Sequence, residues 1–246
     1  IRDYKADSTG KILTKDSSYF VKDSGRDVQD FLADYLPKYE ATRENGLWCL
    51  LTCNHDTERP SATLSPRELS LFYSWIFTMP GAPYLYYGDE IGMRYRHIPT
   101  KEGGYFRTGS RTPMQWAKGK NLGFSTAPAE NLYLPVDPAG DAPTVEAQEQ
   151  DPQSLLNLVR RLTALRHQQA DLQNYAPFAV YSAEPGSRIF AYKRGALLVA
   201  LNPGLEDLGL ALDGEYTPLF TIGSAAPEGG SLHLGPQSFA VLAPMA

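Results

Sequence analysis

Two segments of the chain repeat apolar residues at three- and four-residue spacings and predict amphipathic helices in its first third. The first begins at Asp27 and stops by Gly46, and Pro37 within it either kinks the helix or ends it. The second opens with Ser65-Pro66-Arg67-Glu68, which combines an N-cap serine, a proline at the first helical position and a glutamate three residues after the cap. It continues to Met79, where Pro80-Gly81 stops it.

Short continuous apolar runs flank the second helix and predict strands. One run covers residues 47–53 and the other residues 82–87. Continuous runs are typical of strands that are buried on both faces of a parallel sheet. Strand, helix and strand within about forty residues form the βαβ signature, so the sequence predicts an α/β fold here.

A third helix is predicted, with Asp151-Pro152 as its cap, a leucine stripe on one face and Arg160, Arg161 and Arg166 on a solvated outer face. Residues 88–150 before it form a long segment without periodicity. Its aromatic and turn residues predict an ordered functional loop.

After Asp171 the pattern changes to short alternating segments separated by Gly, Pro and Asn. Turns are expected at Arg194-Gly195 and at Asn202-Pro203-Gly204. This is typical of a small antiparallel β-sandwich. The predicted domains are therefore residues 1–172 and 173–246. The predicted strands cover residues 178–182, 188–193, 197–201, 216–220, 231–234 and 238–242.

Composition excludes some functions. The net charge of −5 over 246 residues makes nucleic acid an unexpected partner, and no apolar run is long enough to span a membrane. Cys49 and Cys53 are too far apart along a strand for a disulfide, so we expect two buried free thiols in a reducing, cytoplasmic compartment. The remaining histidines, His97, His167 and His233, have no metal-ligand spacing.

Polar side chains follow both predicted strands. His55-Asp56 comes after the first strand and could form hydrogen bonds with adjacent sugar hydroxyls or simply cap a loop. Asp89-Glu90 follows the second strand between two glycines, and Glu90 could contact substrate or favour a helix N-terminus. Arg111, beside Thr112-Pro113, is either a carboxylate-binding residue at a pocket wall or an ordinary surface arginine.

Together these segments resemble the α-amylase superfamily, glycoside hydrolase family thirteen. Asn54-His55-Asp56 resembles the motif that ends barrel strand seven, and residues 81–93 resemble the segment on strand eight. Residues 111–116 and 121–125 are similar to a loop of α-glucosidase-like members. The resemblance spans about residues 25–246 and implies the C-terminal part of a (β/α)8 TIM barrel, followed by a small antiparallel β-sandwich.

The resemblance also implies an activity. Family members cleave or transfer α-glucosidic bonds with retention, so an α-linked gluco-oligosaccharide is the expected substrate. Asp56 matches the acid that stabilises the transition state, and His55 matches its hydrogen-bonding companion. Arg111 resembles the arginine that pairs with an upstream Asp in exo-acting members. Arg59 and Asp89 complete the expected substrate-binding residues.

The chain departs from the family pattern in one large respect. It contains no match to the nucleophile segment or to the proton-donor segment, so we expect it to begin after strand five. Retaining hydrolysis needs two carboxyl groups about 5–5.5 Å apart, so we expect the chain alone to be inactive. The family's usual calcium ligands would also lie outside it, and no cofactor is expected within it. Open sheet edges would then require the other barrel half or self-association.

Two alternatives remain from the sequence. A non-catalytic scaffold or partner-binding relative of the same fold would tend to lose the sugar-gripping residues, and His55, Asp56 and Arg111 argue against it. A carbohydrate-binding module could use the final sandwich, although no exposed aromatic platform is evident in that part of the sequence.

Overall fold

The computed structural model describes residues 4–6, 12–14, 18–99 and 107–245. These residues form two compact units. One comprises the described residues of 1–49, 71–82 and 165–246, and the other comprises those of 50–70 and 83–164. The domain boundary predicted near residue 172 stays a prediction. At the N-terminus, β1 (Tyr4–Ala6) pairs with β2 (Ile12–Thr14) in an antiparallel hairpin.

The first helix, α1, covers Gln29–Thr42 and continues through Pro37. The sequence left open whether Pro37 kinks the helix or ends it, and the helix does not end there. The buried face of α1 carries Leu32, Tyr35 and Tyr39, at the spacings that the sequence pattern predicts.

The predicted βαβ order is present as β3 (Cys49–Leu51), α2 (Pro66–Thr78) and β4 (Ala82–Tyr84). Ala82 N donates to Trp48 O at 2.7 Å, and Thr52 N donates to Tyr84 O at 2.9 Å. Both strands advance in the same direction along this ladder, so the pair is parallel.

The prediction that the two strands are buried on both faces is wrong, and in β4 the side chain of Tyr84 is 57% exposed. Leu47 and Leu51 are 38% and 47% exposed, and Cys49 is exposed while Cys53 is buried. The physical reason is that β4 is the one strand that pairs with β3 in the described part of the chain. The prediction of two free thiols is confirmed, but the expected burial holds for Cys53 alone.

The start of α2 is the capping box that the sequence predicts. Ser65 N donates to Glu68 Oε2 at 2.7 Å, and Glu68 N donates to Ser65 Oγ at 3.4 Å. The two residues therefore satisfy each other's free backbone donors at the helix N-terminus.

The last helices are α3 (Val145–Glu149) and α4 (Leu155–Gln168). Asp151 was expected to cap α4, but Ser154 does so, because its Oγ accepts from Asn157 N at 3.2 Å. Asp151 instead holds the preceding turn by accepting from Gln153 N.

The solvated face predicted for α4 is wrong at Arg166, which is buried. Its guanidinium donates to the backbone oxygens of Phe77, in the last turn of α2, and of Met79 and Gly81, which follow it. Arg194 is also buried and donates to Thr78 O at 2.6 Å. Both cations therefore satisfy carbonyls at the negative end of a helix dipole. Burial lowers the pKa of Arg166 to about 10, so it remains charged at neutral pH.

The C-terminal residues form two antiparallel sheets. The five-stranded sheet has the order β5-β6-β7-β12-β9, and the three-stranded sheet has the order β10-β11-β8. Leu198, Ala200 and Ala240 of the larger sheet share one buried cluster with Leu210 and Leu232 of the smaller sheet. The strands are β5 (Phe178–Ser182), β6 (Phe190–Arg194), β7 (Leu197–Asn202), β8 (Leu208–Ala211), β9 (Tyr216–Ile222), β10 (Ala225–Glu228), β11 (Ser231–Leu234) and β12 (Ser238–Pro244).

All six predicted C-terminal strands are present, with ends shifted by up to two residues, and the sequence analysis missed β8 and β10. Both missed strands are only four residues long, and β10 contains a proline. Ala240 of β12 pairs with Ala200 of β7, which places the two small side chains opposite each other in the core.

Candidate functional site

His55 and Asp56 lie in the turn directly after β3. Asn54 holds this turn, because its Oδ1 accepts from Asp56 N at 2.8 Å. Thr57 supports it from the other side, since its Oγ1 accepts from Asn54 N at 3.1 Å. The motif is therefore a hydrogen-bonded turn that projects two polar side chains.

Arg111 joins this turn from the long loop. Its Nε donates to His55 O at 2.9 Å, and its Nη2 donates to Asp56 Oδ1 at 3.0 Å. Arg107 Nε is 3.6 Å from the same carboxylate oxygen, and His55 Nε2 is 3.2 Å from Asp56 Oδ2. We call His55, Asp56, Arg107 and Arg111 the Asp56 cluster. The structure therefore brings together three of the predicted site residues.

The Asp56 carboxylate is held in place and yet open to solvent. Its side chain is 49% exposed, and that of His55 is 62% exposed. A carboxylate offers about four lone-pair positions, and the two arginines and the histidine occupy three at most. At least one acceptor position therefore remains for a hydroxyl of a bound molecule, beside a histidine nitrogen.

Asp89 and Arg59 form a second, buried feature of this unit, which we call the buried pair. Arg59 Nη1 donates to Asp89 Oδ1 at 2.7 Å, and the side chains are 0% and 1% exposed. Asp89 Oδ2 accepts from Thr52 Oγ1 at 2.6 Å and from Cys53 Sγ at 3.1 Å. Direct substrate binding by this pair remains a prediction, because here both side chains are directed at protein groups.

The buried pair connects the segments that carry the Asp56 cluster. Arg59 donates to Tyr87 O at 2.7 Å and to Ser110 O at 2.9 Å, one residue before Arg111. Ser110 Oγ in turn donates to Thr57 O, one residue after Asp56. The pair therefore ties the turn after β3 to the long loop, which fixes where Asp56 and Arg111 meet.

The turn after β4 depends on its two glycines, as the sequence predicts. Gly88 and Gly92 have φ angles of 83° and 67°, which favour glycine. A Cβ on Gly88 would lie 2.2 Å from Met93 Sδ. Between the glycines, Asp89 points into the buried pair, and burial raises the pKa of Glu90 above its ordinary value.

The long loop is ordered over its described residues, 88–99 and 107–150. Asn121 and Leu122 both have φ near 50°, and Asn121 Nδ2 donates to Ser125 O and Ala127 O. Trp116 N and Ala117 N both donate to Leu122 O. Trp116, Phe124 and Tyr133 are exposed aromatic residues of this loop.

Arg107 is the member of the Asp56 cluster that the sequence analysis missed. It belongs to no segment that carries the resemblance, and its charge alone does not separate it from other loop arginines. Its nearness to Arg111, four residues later, is the one signal that could have indicated it.

The described residues also bear on metal binding and on insertion into a membrane. In that part of the chain, no group of three or more His, Cys, Asp or Glu side chains has a geometry suited to a metal ion. No helix formed there is both long and apolar enough to cross a membrane.

Known proteins resemble the chain both in sequence and in fold. A family model described as the α-amylase catalytic domain matches residues 15–174. The salivary alpha-glucosidase of Aedes aegypti is 31% identical over 208 residues, which cover 77% of this chain and 34% of the relative. The trehalose synthase of Thermus thermophilus is 37% identical over 134 residues, or 52% of this chain and 13% of the relative.

Solved structures support the fold. A MutB mutant from crystals soaked with trehalulose matches with a TM-score of 0.75 at 23% identity, over 89% of this chain and 47% of that one. The chain therefore spans about half of that structure and about a third of the mosquito relative. On the match of the catalytic-domain model and the identity to the α-glucosidase, the chain belongs to the α-amylase family of glycoside hydrolases.

Proposed function

We propose that the chain carries the sugar-recognition part of the active site of a retaining enzyme that acts on α-glucosidic bonds. Its described residues would be the C-terminal part of a (β/α)8 barrel and the β-sandwich after it. The observation that carries the proposal is the Asp56 carboxylate, which Arg111 and His55 hold at 3.0 Å and 3.2 Å while it stays half exposed. Named relatives that include an α-glucosidase and a trehalose synthase support the substrate class.

We assign a part of the reaction to each side chain of the Asp56 cluster. Asp56 accepts hydroxyl hydrogens of the reacting sugar, and its charge stabilises positive charge that develops on the ring in an oxocarbenium-like transition state. His55 offers a second polar group beside the same hydroxyls. Arg111 and Arg107 lie 3.0 Å and 3.6 Å from the carboxylate and hold it in its orientation.

Bond cleavage itself needs two further carboxyl groups across the glycosidic bond. The sequence has no match to the family segments that supply them, so the isolated chain should bind a glucose mimic without turning over an α-glucoside. The same site would serve hydrolysis or transfer, since both reactions pass through the same sugar cation.

A binding experiment tests this proposal. 1-Deoxynojirimycin, a glucose-shaped amine that is cationic at mildly acidic pH, is titrated into the chain by calorimetry at such a pH. Asp56→Asn, which keeps the shape and removes the charge, should weaken binding roughly tenfold or more, because hydrogen bonds to charged groups contribute about 1.5–3 kcal/mol.

Glu149→Gln is the matched control, because Glu149 is also a half-exposed carboxylate that pairs with an arginine. Its affinity should equal that of the parent chain. Equal affinities for the parent chain and Asp56→Asn would refute the assignment. A parallel assay on p-nitrophenyl α-glucopyranoside should show no turnover, and turnover would show that the chain supplies both missing carboxylates.

A further inference from the structure

An ion pair outside the Asp56 cluster holds the segment that follows β4. Asp137 Oδ1 accepts from Arg96 Nη1 at 2.9 Å, and the Asp137 side chain is 4% exposed. The same oxygen accepts from Ala139 N at 3.1 Å, which fixes the orientation of the carboxylate. We call Asp137 and Arg96 the loop pair, because it joins two parts of the long loop that lie 41 residues apart in the sequence.

The backbone of Arg96 contacts the turn that carries both arginines of the Asp56 cluster. Arg96 N donates to Gly109 O at 3.2 Å, and Gly109 is a buried residue midway between Arg107 and Arg111. A Cβ on Gly109 would clash with Arg96 O and would lie 2.6 Å from the Tyr95 ring, so no gap separates the two segments. Because segments packed in this way cannot move independently, a displacement of Arg96 would displace the turn as well.

The start of the same segment is anchored without the loop pair. Ser61 Oγ donates to Met93 O at 2.6 Å, and Met93 N donates to Gly88 O at 2.9 Å. These bonds involve neither Asp137 nor Arg96. Loss of the loop pair would therefore leave the turn after β4 in place and loosen the segment only beyond Met93.

The two arginines of the Asp56 cluster depend on this segment to different degrees. Arg111 follows Ser110, which the buried pair and the turn after β3 already hold. Its guanidinium also makes two hydrogen bonds to the turn after β3. Arg107 begins the turn and reaches the cluster through a longer contact, at 3.6 Å from Asp56 Oδ1. Arg107 is therefore the arginine whose position depends more on the loop pair.

We infer that Asp137 is a positioning residue for the sugar site. Through Arg96 and Gly109 it fixes Arg107 against the Asp56 carboxylate, while its own bonds go to the loop. The inference rests on the proposed function, since it takes the Asp56 cluster as the sugar site. It adds that the end of the long loop, far from Asp56 in the sequence, controls how well this site binds a sugar.

Calorimetry with maltose measures the effect on binding. Maltose carries no charge, so the loss of an arginine does not change its affinity through direct attraction or repulsion. Asp137→Asn keeps the side-chain shape and removes the charge that faces Arg96, so maltose affinity should fall roughly two- to tenfold. Arg107→Gln should lower the affinity by a similar factor. Because Asp137 acts through Arg107, adding Asp137→Asn to Arg107→Gln should cause no further loss.

The imidazole of His55 gives a second readout that needs no ligand. Its Nε2 lies 3.2 Å from Asp56 Oδ2, so its nuclear magnetic resonance signal reports on the carboxylate. The chain has four histidines, and His55→Asn identifies the signal by removing it. In folded Asp137→Asn the His55 signal should shift in the same direction as in Arg107→Gln. A merely structural role of Asp137 would lower the unfolding temperature and leave this signal unchanged.

Asp141→Asn is the matched control. Asp141 lies four residues after Asp137 and pairs with Arg94 at 2.7 Å, but its side chain is 80% exposed. An exposed ion pair contributes little to holding a segment in place. The His55 signal and the maltose affinity of Asp141→Asn should therefore equal those of the parent chain.

Two results would overturn the inference. One is a His55 signal in Asp137→Asn that equals that of the parent chain. The other is a loss of maltose affinity from Asp137→Asn that is as large in the Arg107→Gln background as in the parent chain. A parent chain that binds neither maltose nor 1-deoxynojirimycin would refute the proposed function instead, and the His55 signal would still decide whether Asp137 positions the Asp56 cluster.

Discussion

The buried pair allows a quantitative prediction about stability. Asp89→Asn keeps the side-chain shape and removes the charge that faces Arg59. The guanidinium then remains at 0% exposure without its counter-charge. Two carbonyl acceptors, Tyr87 O and Ser110 O, stay in place, as do the Tyr86 and Tyr87 rings with centroids 5.1 Å from the guanidinium carbon.

The expected cost follows from this burial. Removing one partner of a buried ion pair costs about 3–5 kcal/mol, because the other charge is left uncompensated in a medium of low polarity. Cation–π attraction and two carbonyls offset part of that penalty but do not replace a full charge. For a chain of this length the loss corresponds to a fall of roughly 6–20 °C in the unfolding temperature. Thermal unfolding followed by circular dichroism measures it.

A matched control separates the effect of burying an ion pair from the effect of the short distance between its charges. Arg160 and Glu149 pair at 2.6 Å in the same compact unit, but both side chains are about half exposed. Glu149→Gln should cost about 1 kcal/mol or less. The double variant Arg59→Met with Asp89→Leu should be more stable than Asp89→Asn, because it removes both buried charges. An Asp89→Asn variant that loses no more stability than Glu149→Gln would refute the reasoning.

Three further predictions concern the turns around the site. In a protein that contains the complete catalytic domain, Asp56→Asn should lower kcat by at least about a hundredfold with an unchanged unfolding temperature, and turnover like the parent's would remove Asp56 from the mechanism. Gly88→Ala should lower the free energy of unfolding by at least about 1–3 kcal/mol, because the new Cβ would meet Met93 Sδ and the φ of this residue is 83°. Gly140 has open space around it, so Gly140→Ala should change that free energy by about 0.5 kcal/mol or less. Because burial raises the pKa of Glu90, the folded chain binds this proton more tightly than the unfolded chain, and stability falls as the pH rises from the ordinary value of 4.5 through the raised one. Glu90→Gln should therefore be more stable than the parent chain above this pH window and lose that advantage below it. The control is Glu228→Gln, at an exposed glutamate, which should show no such dependence on pH. A difference in unfolding temperature between Glu90→Gln and the parent that does not change with pH would contradict the assignment.

Local signals in the sequence were sufficient where neighbours in the chain decide the structure. The capping box at Ser65 and Glu68 satisfies donors within one helical turn, so its pattern is complete in four residues. The glycines at 88 and 92 are required by backbone conformation, and this requirement is also local.

Contacts between distant segments could not be predicted in the same way. Arg166 has the position of a solvated residue on its own helix, yet its acceptors lie 85–89 residues earlier in the chain. Arg107 acquires its place beside Asp56 only through the path of a loop that shows no periodicity. The exposure of Cys49 depends on how many strands flank β3, which its own sequence does not encode.

The buried pair shows a third kind of limit. The sequence predicted Arg59 and Asp89 as substrate-binding residues because they follow the strands in a family motif. A motif marks both the residues that contact substrate and those that position them. The two side chains are 0% and 1% exposed, and Arg59 binds segments that carry the Asp56 cluster, while direct substrate contact by the pair stays a prediction.

A crystal structure of the chain soaked with 1-deoxynojirimycin tests the sugar site most directly. The ring is expected next to the Asp56 cluster, with one hydroxyl within about 3 Å of Asp56 Oδ2 and the His55 imidazole beside it. The bond from Arg111 to Asp56 Oδ1 is expected to survive. Density for the ring at the Asp56 cluster with no hydroxyl on the Asp56 carboxylate, or an empty Asp56 cluster at saturating ligand, would contradict the central claim.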